Sequence, residues 1–355
     1  MRVTIREVAR KAGVSTATVS RVFNDVDQVD EKTRRRVQRV AKRLRYTPNA
    51  VGRSLSTKRT DAIGLLLPDI HGEFFSEVIR GADQAAQQNR YHLLVSSSHN
   101  HREEIEAALK VMSGRVDGLV IMSPHLDAQA LKTNLPRNLP VVLLNCFVDG
   151  VSFDSLNIDN FGGACAVVKH LIQHGHQSIA IIKGTEGNLD ADERLRGYRH
   201  ALREAGLTPA ETLEFSGRFS EASGYEATKK ILTLWPRPTA IFASNDAMAI
   251  GALSALREIG VAVPREIALA GFDDIPIARF LSPSLTSVRV SISNLGAQAI
   301  QKLVHAIREK KRHANQHLIV PTSLALRESC GCPKPVSSND QNDQKEVMTE
   351  GVVSK

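Results

Sequence analysis

From Ala62 onward, short apolar runs alternate with helical patterns, and this alternation constrains the fold more than any other feature of the chain. The runs form two series: A-I-G-L-L-L-P, Y-H-L-L-V, D-G-L-V-I-M and V-V-L-L-N, then S-I-A-I-I-K-G, T-A-I-F-A-S and I-A-L-A-G-F. A repeated strand–helix unit predicts parallel sheet covered by helices. About 270 residues suit two doubly wound subdomains better than one sheet. Because ligands bind outside the carboxyl ends of such strands, two facing subdomains would enclose a cleft.

Two short helices joined by a tight turn are predicted for residues 4–24, before this body. Thr4 and Glu7 have the spacing of a capping box, and Gly13 can end the first helix in a left-handed conformation. Ser15 can cap the second helix and Asp30 a third. The three helices carry apolar stripes that can close a small core: Ile5, Val8, Ala9 and Ala12; Val19, Val22 and Phe23; Val37, Val40, Ala41 and Leu44.

The net positive charge of the chain lies in its first 60 residues, which contain these helices. Residues 1–60 contain 16 of the 46 Lys and Arg but 5 of the 38 Asp and Glu, a net charge of +11 against +8 for the whole chain. A basic run is usually a solvated surface. Here it coincides with a helix-turn-helix pattern, and neutralisation of DNA phosphates explains both features. Arg10, Lys11, Arg34 and Arg35 are therefore candidates for phosphate contacts.

The second helix offers Thr16, Ala17 and Arg21 outward. In a helix-turn-helix, such residues reach base edges in the major groove. Arg21 can bind guanine bidentately, Thr16 can donate or accept a hydrogen bond, and Ala17 can make only apolar contact. Simple surface exposure is the alternative interpretation for each. The full set of candidate DNA-binding residues is Thr4, Ser15, Thr16, Ala17, Thr18, Ser20, Arg21, Asn24, Asn49 and Leu55.

The segment R-Y-T-P-N-A-V-G-R-S-L-S-T-K-R-T at 45–60 links the helices to the body. Pro48 can break the third helix or open a new one, and Asn49 to Leu55 can form about two helical turns. A helix so short is marginal alone in water, so it needs DNA or a partner helix. Leu55 is either a small packing contact or a wedge inserted between base steps in the minor groove.

The stretches T-I-R-E-V-A-R-K-A-G-V-S-T-A-T-V-S-R-V-F-N and Y-T-P-N-A-V-G-R-S-L resemble the DNA-binding headpiece and hinge of the LacI/GalR family of bacterial repressors. The resemblance implies that the hinge helices of two subunits order together on the operator, with Leu55 intercalated. The chain departs from the family at Gly52, where alanine is typical. Glycine costs about 0.5–1 kcal/mol in a helix interior, so the hinge is expected to be less stable.

The resemblance continues from Asp61 to about Glu328, through H-L-I-Q-H-G-H, R-L-R-G-Y, N-D-A-M-A-I-G, G-F-D-D and P-S-L-T-S-V. It implies a small all-α headpiece followed by a periplasmic-binding-protein-like α/β core of two doubly wound parallel-sheet subdomains. The chain is expected to cross between subdomains near residues 160, 286 and 319. The expected domains are the headpiece 1–46, the hinge 47–60, the core 61–330 and a disordered tail 331–355, with an N-subdomain of 61–159 plus 286–318 and a C-subdomain of 160–285 plus 319–330.

Polar residues near the predicted strand ends are candidates for binding a small effector. Carboxylates, amides and a guanidinium can bind the vicinal hydroxyls of a sugar, and an aromatic face can stack on its ring. The resemblance implies effector contacts at Phe75, Arg194, Phe219, Asn245 and Asp273, and the strand ends add Asp69 and Asn145.

Each effector candidate also has a structural interpretation. Asn245 and Asp273 can cap helices, and the two phenylalanines can belong to the core. Arg194 is expected to open a helix. Trp235, the one tryptophan of the chain, is expected to pack.

The cysteines and histidines predict no metal site. Cys330-Gly-Cys332 lacks the second ligand pair of a zinc site, and His170 and His174, four apart on a predicted helix, lack an evident third ligand. A Walker loop, a G-x-S-x-G motif and an H-E-x-x-H motif are absent from the sequence. We therefore expect no cofactor and no enzymatic activity.

These features favour a homodimeric, sequence-specific repressor of carbohydrate-utilisation genes. Its expected partners are palindromic operator DNA and a small effector, a sugar or sugar derivative, bound in the cleft. With neither an export signal nor a membrane-length apolar run, it is expected to be cytoplasmic and to bind no membrane. Alternatives are a regulator that responds to a purine or to a phosphoprotein, and a sugar-binding transport protein, which the basic N-terminus disfavours.

Overall fold

The computed structural model describes residues 3–23, 29–46, 59–99, 101–123, 126, 128–136, 138–146, 148, 153–309 and 316–332. It divides into two compact units, one containing the N-terminal helices and the other the α/β core. Three of the predicted DNA-binding residues, Asn24, Asn49 and Leu55, lie outside the described residues, as do 47–58 of the hinge and 333–355 of the tail.

The N-terminal unit contains the three predicted helices, α1 (Ile5–Ala12), α2 (Thr16–Phe23) and α3 (Glu31–Arg43). Their ends follow the local signals. The Glu7 carboxylate accepts the backbone N–H of Thr4 at 2.9 Å, and Gly13 ends α1 with φ of 63°. The Asp30 carboxylate accepts the N–H of Thr33 at 2.9 Å, which caps α3. The buried core of this unit comprises Val8, Ala9, Ala12, Val19, Val22, Val37 and Ala41.

The α/β core contains two six-stranded sheets, and the predicted fold class is confirmed. The first sheet has strands β1 (Ala62–Leu67), β2 (His92–Ser97), β3 (Gly118–Ile121), β4 (Val141–Leu144), β5 (Asp154–Ile158) and β11 (His317–Val320), in the order β11-β5-β4-β3-β1-β2. The strand pairs β1–β3, β3–β4, β4–β5 and β5–β11 are parallel. Its helices are α4 (Glu73–Gln88), α5 (Arg102–Met112), α6 (Ala128–Asn134) and α11 (Ile292–Glu309).

The second sheet has strands β6 (Ile179–Ile182), β7 (Glu214–Phe215), β8 (Ala240–Ala243), β9 (Ala268–Asp273), β10 (Thr286–Arg289) and β12 (Ser323–Ala325). Their order is β12-β10-β9-β8-β6-β7, and β12 pairs with β10 in the antiparallel sense. Its helices are α7 (Asn160–Gln173), α8 (Leu189–Glu204), α9 (Glu221–Ile231) and α10 (Asp246–Glu258). Three 3₁₀ turns complete this part, at Glu211–Leu213, Pro276–Phe280 and Glu328–Cys330.

The chain passes between the two sheets three times. It leaves the first sheet after Ile158, returns after Arg289, and leaves again after Val320. These crossings follow the strand ends near residues 160, 286 and 319: β10 stays in register with β9 from Thr286 to Arg289, and β11 with β5 from His317 to Val320, before the chain passes to the other sheet.

Two glycines allow α4 and α11 to approach each other closely in the first subdomain. A Cβ on Gly81 would lie 1.8 Å from the carbonyl oxygen of Ser293, and one on Gly296 would lie 2.3 Å from that of Val78. Since real Cβ atoms do not approach backbone so closely, both positions require glycine. This contact anchors α11 to the first subdomain as soon as the chain returns from the second.

Trp235 does not pack as expected, because its side chain lies on the turn between α9 and β8 and is 91% exposed.

Among the described helices, none is both long enough and apolar enough to span a bilayer.

Candidate functional site

A cavity of about 240 Å³ lies between the two subdomains of the α/β core, at the carboxyl ends of their strands. Six of the seven residues predicted to bind an effector line it: Phe75, Asn145, Arg194, Phe219, Asn245 and Asp273. Asn145 directly follows β4, and Asp273 is the last residue of β9. Parallel strands bring their carboxyl ends to one edge of a sheet, which explains why residues distant in sequence meet here.

Asp69, the seventh candidate, is not among the residues lining the cavity, although its neighbour Pro68 is. Its Oδ1 accepts the backbone N–H groups of Ile70 and His71, at 2.7 and 3.0 Å. This local turn holds the carboxylate, as aspartate does in an Asx turn. The strand-end pattern alone could not distinguish such a turn from a ligand contact.

Arg194 is the most extensively bound polar side chain in the cavity wall. It is 4% exposed, and its Nε donates to the Asn160 Oδ1 at 2.8 Å. Nη1 donates to the Ser244 carbonyl, and Nη2 lies 3.4 Å from the Asp273 Oδ1. The guanidinium carbon lies 3.7 Å from the centroid of the Phe272 ring. These partners fix the guanidinium in one orientation, so it can serve as a preorganised hydrogen-bond donor.

Asp273 is also 4% exposed. Burial raises its pKa to about 7, against the opposing effect of Arg194, which favours the charged form. A carboxyl group with such a pKa can accept or donate a hydrogen bond near neutral pH. Together, Arg194 and Asp273 present neighbouring donor and acceptor groups to the cavity.

Asp190 is a lining residue that the sequence analysis missed. Its Oδ1 accepts the Asn160 amide at 2.8 Å, and its Oδ2 accepts the Asn145 amide. Burial raises the pKa of Asp190 to about 6, whereas Arg194 and the two amides favour the charged form. Because Asn145 belongs to the first subdomain and Asp190 to the second, this hydrogen bond crosses the cleft.

Asp190 was not a candidate because the helix was expected to begin at Arg194, whereas it begins five residues earlier. The helix carrying Arg194 begins at Leu189, since the Asn188 side chain accepts the N–H of Ala191 at 3.1 Å. Asp190 and Arg194 are therefore four residues apart and lie on the same face of α8. A helix starting at Arg194 would have left Asp190 in a loop.

Asn245 combines its structural interpretation with its position in the cavity. Its Oδ1 accepts the N–H of Met248 at 2.9 Å and caps α10, while its Nδ2 donates to the Phe219 carbonyl at 3.1 Å. Both bonds orient the side chain. One amide hydrogen and one oxygen lone pair remain available for a ligand.

Phe75 and Phe219 contribute aromatic surface from opposite subdomains. Phe75 packs edge-on against Phe74, with ring centroids 5.4 Å apart. Phe219 has φ of 58°, and its ring lies so close to Gly184 that a Cβ there would be 2.1 Å from it. Of the eight described non-glycine residues with positive φ, three line the cavity: Asn145, Phe219 and Asp273. Such strain concentrates at functional sites, which supports this cavity as one.

The DNA-reading surface predicted for α2 is exposed. Thr16, Ala17 and Arg21 are all exposed, whereas Val19 and Val22 are buried on the opposite side. Ser15 acts as the cap of α2, because its Oγ accepts the N–H of Thr18 at 3.0 Å and lies 2.9 Å from the Thr18 hydroxyl. Ser20 is half-buried, and Thr4 is exposed at the start of α1.

The structure also brings His170 and His174 beside Cys330 and Cys332. The His170 Nε2 lies 3.3 Å from the Cys330 Sγ and 3.7 Å from the Cys332 Sγ. No third ligand is evident near the histidines in the sequence, because the cysteines follow about 160 residues later in the chain.

Two family models match the chain. Residues 4–49 match bacterial regulatory proteins of the lacI family, and residues 168–330 match a periplasmic binding protein-like domain. The HTH-type transcriptional repressor PurR of Edwardsiella ictaluri is 36% identical over 327 residues, covering 91% of this chain and 96% of the relative. PurR of Pasteurella multocida is 37% identical over 310 residues, covering 86% and 92%.

Solved structures of transcriptional regulators are also similar to this chain. The Lac repressor dimer bound to operator and the anti-inducer ONPF is similar, with a TM-score of 0.82, 30% identity and coverage of 93% of this chain and 99% of that one. The transcriptional regulator CelR in complex with cellobiose has a TM-score of 0.70, 32% identity and coverage of 92% and 100%. These relatives are regulators and not enzymes. The chain therefore belongs to the lacI family of bacterial regulatory proteins and is a DNA-binding transcriptional repressor.

Proposed function

We propose that this protein is a homodimeric repressor of carbohydrate-utilisation genes, acting in the cytoplasm, whose affinity for a palindromic operator is set by a neutral sugar or sugar derivative. The observation that carries the proposal is the paired arrangement of Arg194 and Asp273 beside Asp190, with Phe75 and Phe219 lining the same cavity from opposite subdomains. Neighbouring donors and acceptors suit vicinal hydroxyl groups, and phenylalanine rings suit the C–H face of a sugar ring.

The charge of the cavity supports a neutral ligand over a phosphorylated one. Among the described residues of its lining, Glu73, Asp190, Glu221 and Asp273 supply four carboxyl groups, whereas Arg194 supplies the single Arg or Lys side chain. That guanidinium is already paired with Asp273. A phosphate group would require further donors or positive charge to offset its desolvation, which this lining lacks.

The size of the cavity supports a small ligand. Its volume of about 240 Å³ is close to the lower end of the range for small-molecule sites, about 300 Å³. A single sugar ring fits this scale better than an extended oligosaccharide. The cellobiose of the CelR complex is a larger ligand, so this chain is expected to differ from that relative in effector size.

A purine base is the second candidate, and the names of the PurR relatives favour it. A planar base can also stack on a phenylalanine ring, and carboxyl groups can accept its N–H groups. A purine base carries no phosphate charge. The lack of a second arginine or lysine among the described lining residues therefore disfavours a purine base less than a sugar phosphate. Binding measurements must therefore include purine bases as well as sugars.

Two hydrogen bonds across the cleft provide a means of coupling the ligand to the subdomains. Asn145 donates to Asp190, and the backbone N–H of Ile277 in the second subdomain donates to the Glu73 carboxylate of the first at 3.0 Å. These bonds favour a closed arrangement of the two subdomains. A ligand that competes for Asp190 must therefore shift the equilibrium between closed and open arrangements. A change in closure that alters operator affinity is coupled reciprocally to ligand affinity.

Dimerisation follows from how a helix-turn-helix reads DNA. One α2 helix presents few base contacts, so two copies on a two-fold operator supply the specificity. Exposed apolar side chains on the core, among them Leu94 and Val95 on the edge strand β2 and Phe280, are available for a subunit interface. Arg21 and Thr16 would read bases, and the hinge with Leu55 would kink the site, as the family resemblance implies.

Titration calorimetry of the purified full chain tests the effector class. The panel contains neutral monosaccharides, the corresponding sugar phosphates, cellobiose, hypoxanthine and guanine. We expect a neutral monosaccharide to bind and the sugar phosphates to bind at least tenfold more weakly. Tight binding of a purine base with no response to sugars would replace the carbohydrate assignment by the purine one.

A further inference from the structure

Three metal-ligating side chains, His170, Cys330 and Cys332, have ligand atoms within 4.8 Å of one another in the second subdomain, at the end of α7 that lies opposite the effector cavity. His174 lies beside them, next to Cys332. His170 lies in the last turn of α7, and His174 directly follows this helix. Cys330 ends the 3₁₀ turn Glu328–Cys330, and Cys332 lies two residues further on. His170 and Cys330 are buried, at 7% and 2% exposure. Cys332 is half-buried, so the cluster borders solvent on one side.

Three distances between histidine nitrogens and cysteine sulfurs are close to those found at a tetrahedral metal site. Zinc bond lengths of 2.3 Å to sulfur and about 2.05 Å to nitrogen imply a separation of about 3.6 Å between S and N ligand atoms. The His170 Nε2 lies 3.3 Å from the Cys330 Sγ and 3.7 Å from the Cys332 Sγ, and the His174 Nε2 lies 3.7 Å from the Cys332 Sγ. Each N–S distance agrees with this value to about 0.3 Å.

Hydrogen bonds around the cluster orient the ligands as partners of metal ligands do. The His174 Nδ1 lies 2.9 Å from the His170 carbonyl oxygen, which assigns the proton to Nδ1 and leaves Nε2 as a lone-pair donor. The Thr286 hydroxyl lies 3.0 Å from the Cys330 Sγ and can donate to it.

A second group of three candidate ligands lacks these properties. Cys165, His200 and Glu204 also approach one another, but two of them are exposed. The Lys169 ammonium lies 2.8 Å from the Glu204 carboxylate and already neutralises its charge. A cation bound there would meet the positive charge of Lys169, whereas no lysine or arginine side chain pairs with any of the four residues at the end of α7 among the described contacts.

We infer that His170, Cys330 and Cys332 form a zinc site that joins the end of the core to α7, and that the exposed His174, beside Cys332, moves in as the fourth ligand when the metal binds. Soft thiolate and imidazole ligands in a tetrahedral S₂N₂ set favour zinc over magnesium or calcium. Binding converts two thiols to thiolates and releases two protons to solvent for each zinc ion, with no change in oxidation state.

The site would brace the effector cavity from a distance. The first residue of α7, Asn160, contacts Asp190 and Arg194, and its last turn carries His170. A metal at the far end would therefore hold α7 against the 3₁₀ turn that follows β12. We expect zinc to raise the thermal stability of the core.

Metal analysis of the reduced full-length protein tests the inference. The native chain and the control Cys165→Ser should each bind one zinc, and cobalt added to the metal-free protein should give a thiolate-to-cobalt absorption band. Cys332→Ser and His174→Ala, which alter the more exposed ligands and so preserve the fold, should lose the thiolate band or at least tenfold in zinc affinity. Circular dichroism confirms that each variant is folded.

The same titration contains the results that would overturn the inference. Equal zinc affinity in the native chain and in Cys332→Ser would show that the cluster is not the binding site. Absence of a cobalt–thiolate band in the reduced native protein would do the same, and would leave the cluster as a hydrogen-bonded pair of thiols and imidazoles.

Discussion

The Arg194 Nη2 and the Asp273 Oδ1 lie 3.4 Å apart, and both residues are buried, each with 4% of its surface exposed. A buried pair of this kind is strongly destabilised when one partner alone is removed, because the other charge is left without compensation. The pair also faces the cavity. A substitution in this pair can therefore affect both folding and ligand binding. A variant that keeps the shape of the side chain limits the effect on folding.

Asp273→Asn keeps that shape and removes the charge. We expect effector affinity to fall about 10- to 100-fold, since a hydrogen bond to a charged group contributes about 1.5–3 kcal/mol. Operator affinity without ligand should change by less than about threefold. Calorimetry with the effector and anisotropy with operator DNA measure the two quantities. Asp192→Asn, the same chemical change on an exposed position of helix α8, is the control. Unchanged effector affinity in Asp273→Asn would remove Asp273 from the binding site.

The pKa of Asp190 predicts a pH dependence of stability. Its folded-state pKa of about 6 exceeds its ordinary value of 3.8, so the folded state binds the proton more tightly than the unfolded chain does. The contribution is complete below pH 3.8 and is lost as pH rises through about 6. The melting temperature of the native protein relative to that of Asp190→Asn should therefore decrease between pH 5 and pH 7. A difference that stays constant over this range would contradict the raised pKa.

Gly184 positions the Phe219 ring. An added Cβ would lie 2.1 Å from that ring, so Gly184→Ala must displace Phe219 from the cavity wall. We expect effector affinity to fall at least about fivefold while operator binding is retained, because the change costs about 1 kcal/mol or more at one aromatic contact. Ser216→Ala, on an exposed position of the loop before Phe219, is the control. Retention of full effector affinity in Gly184→Ala would show that Phe219 does not contact the ligand.

Arg21 is expected to carry sequence discrimination. Arg21→Ala should weaken binding to a duplex selected by the native protein about 10- to 100-fold, while binding to a scrambled duplex weakens far less. Arg39→Ala removes the same charge from an exposed position of α3 and should weaken both duplexes to a similar extent. Anisotropy titrations at one fixed salt concentration make the comparison. Equal losses on both duplexes for Arg21→Ala would assign Arg21 to phosphate binding.

The N-terminal helices could be predicted closely because their signals are local. Thr4, Glu7, Gly13 and Asp30 act within three or four residues of the groups they cap, and the structure places each as expected. The two-sheet core was predictable from the repeated strand–helix unit. The six lining residues came from the family resemblance and from strand ends, which converge because the strands are parallel.

The remaining features depend on contacts between distant parts of the chain. Asp190 gains its importance from Asn145, which precedes it by 45 residues and belongs to the other subdomain. Cys330 meets His170 across 160 residues of sequence. Asp69 follows a strand, yet its carboxylate turns back to its own backbone. No local pattern distinguishes these outcomes, because each is decided by packing rather than by spacing.

Operator binding measured with and without the effector tests the central claim most directly. The duplex is one that the full-length protein selects from a random library, and the ligands are the neutral sugars and purine bases that calorimetry shows to bind. The account predicts sequence-specific, salt-sensitive binding whose affinity changes at least fivefold with ligand, and Asp273→Asn should bind operator but lose this response. Operator affinity that is identical with and without a ligand known to occupy the cavity would contradict the account.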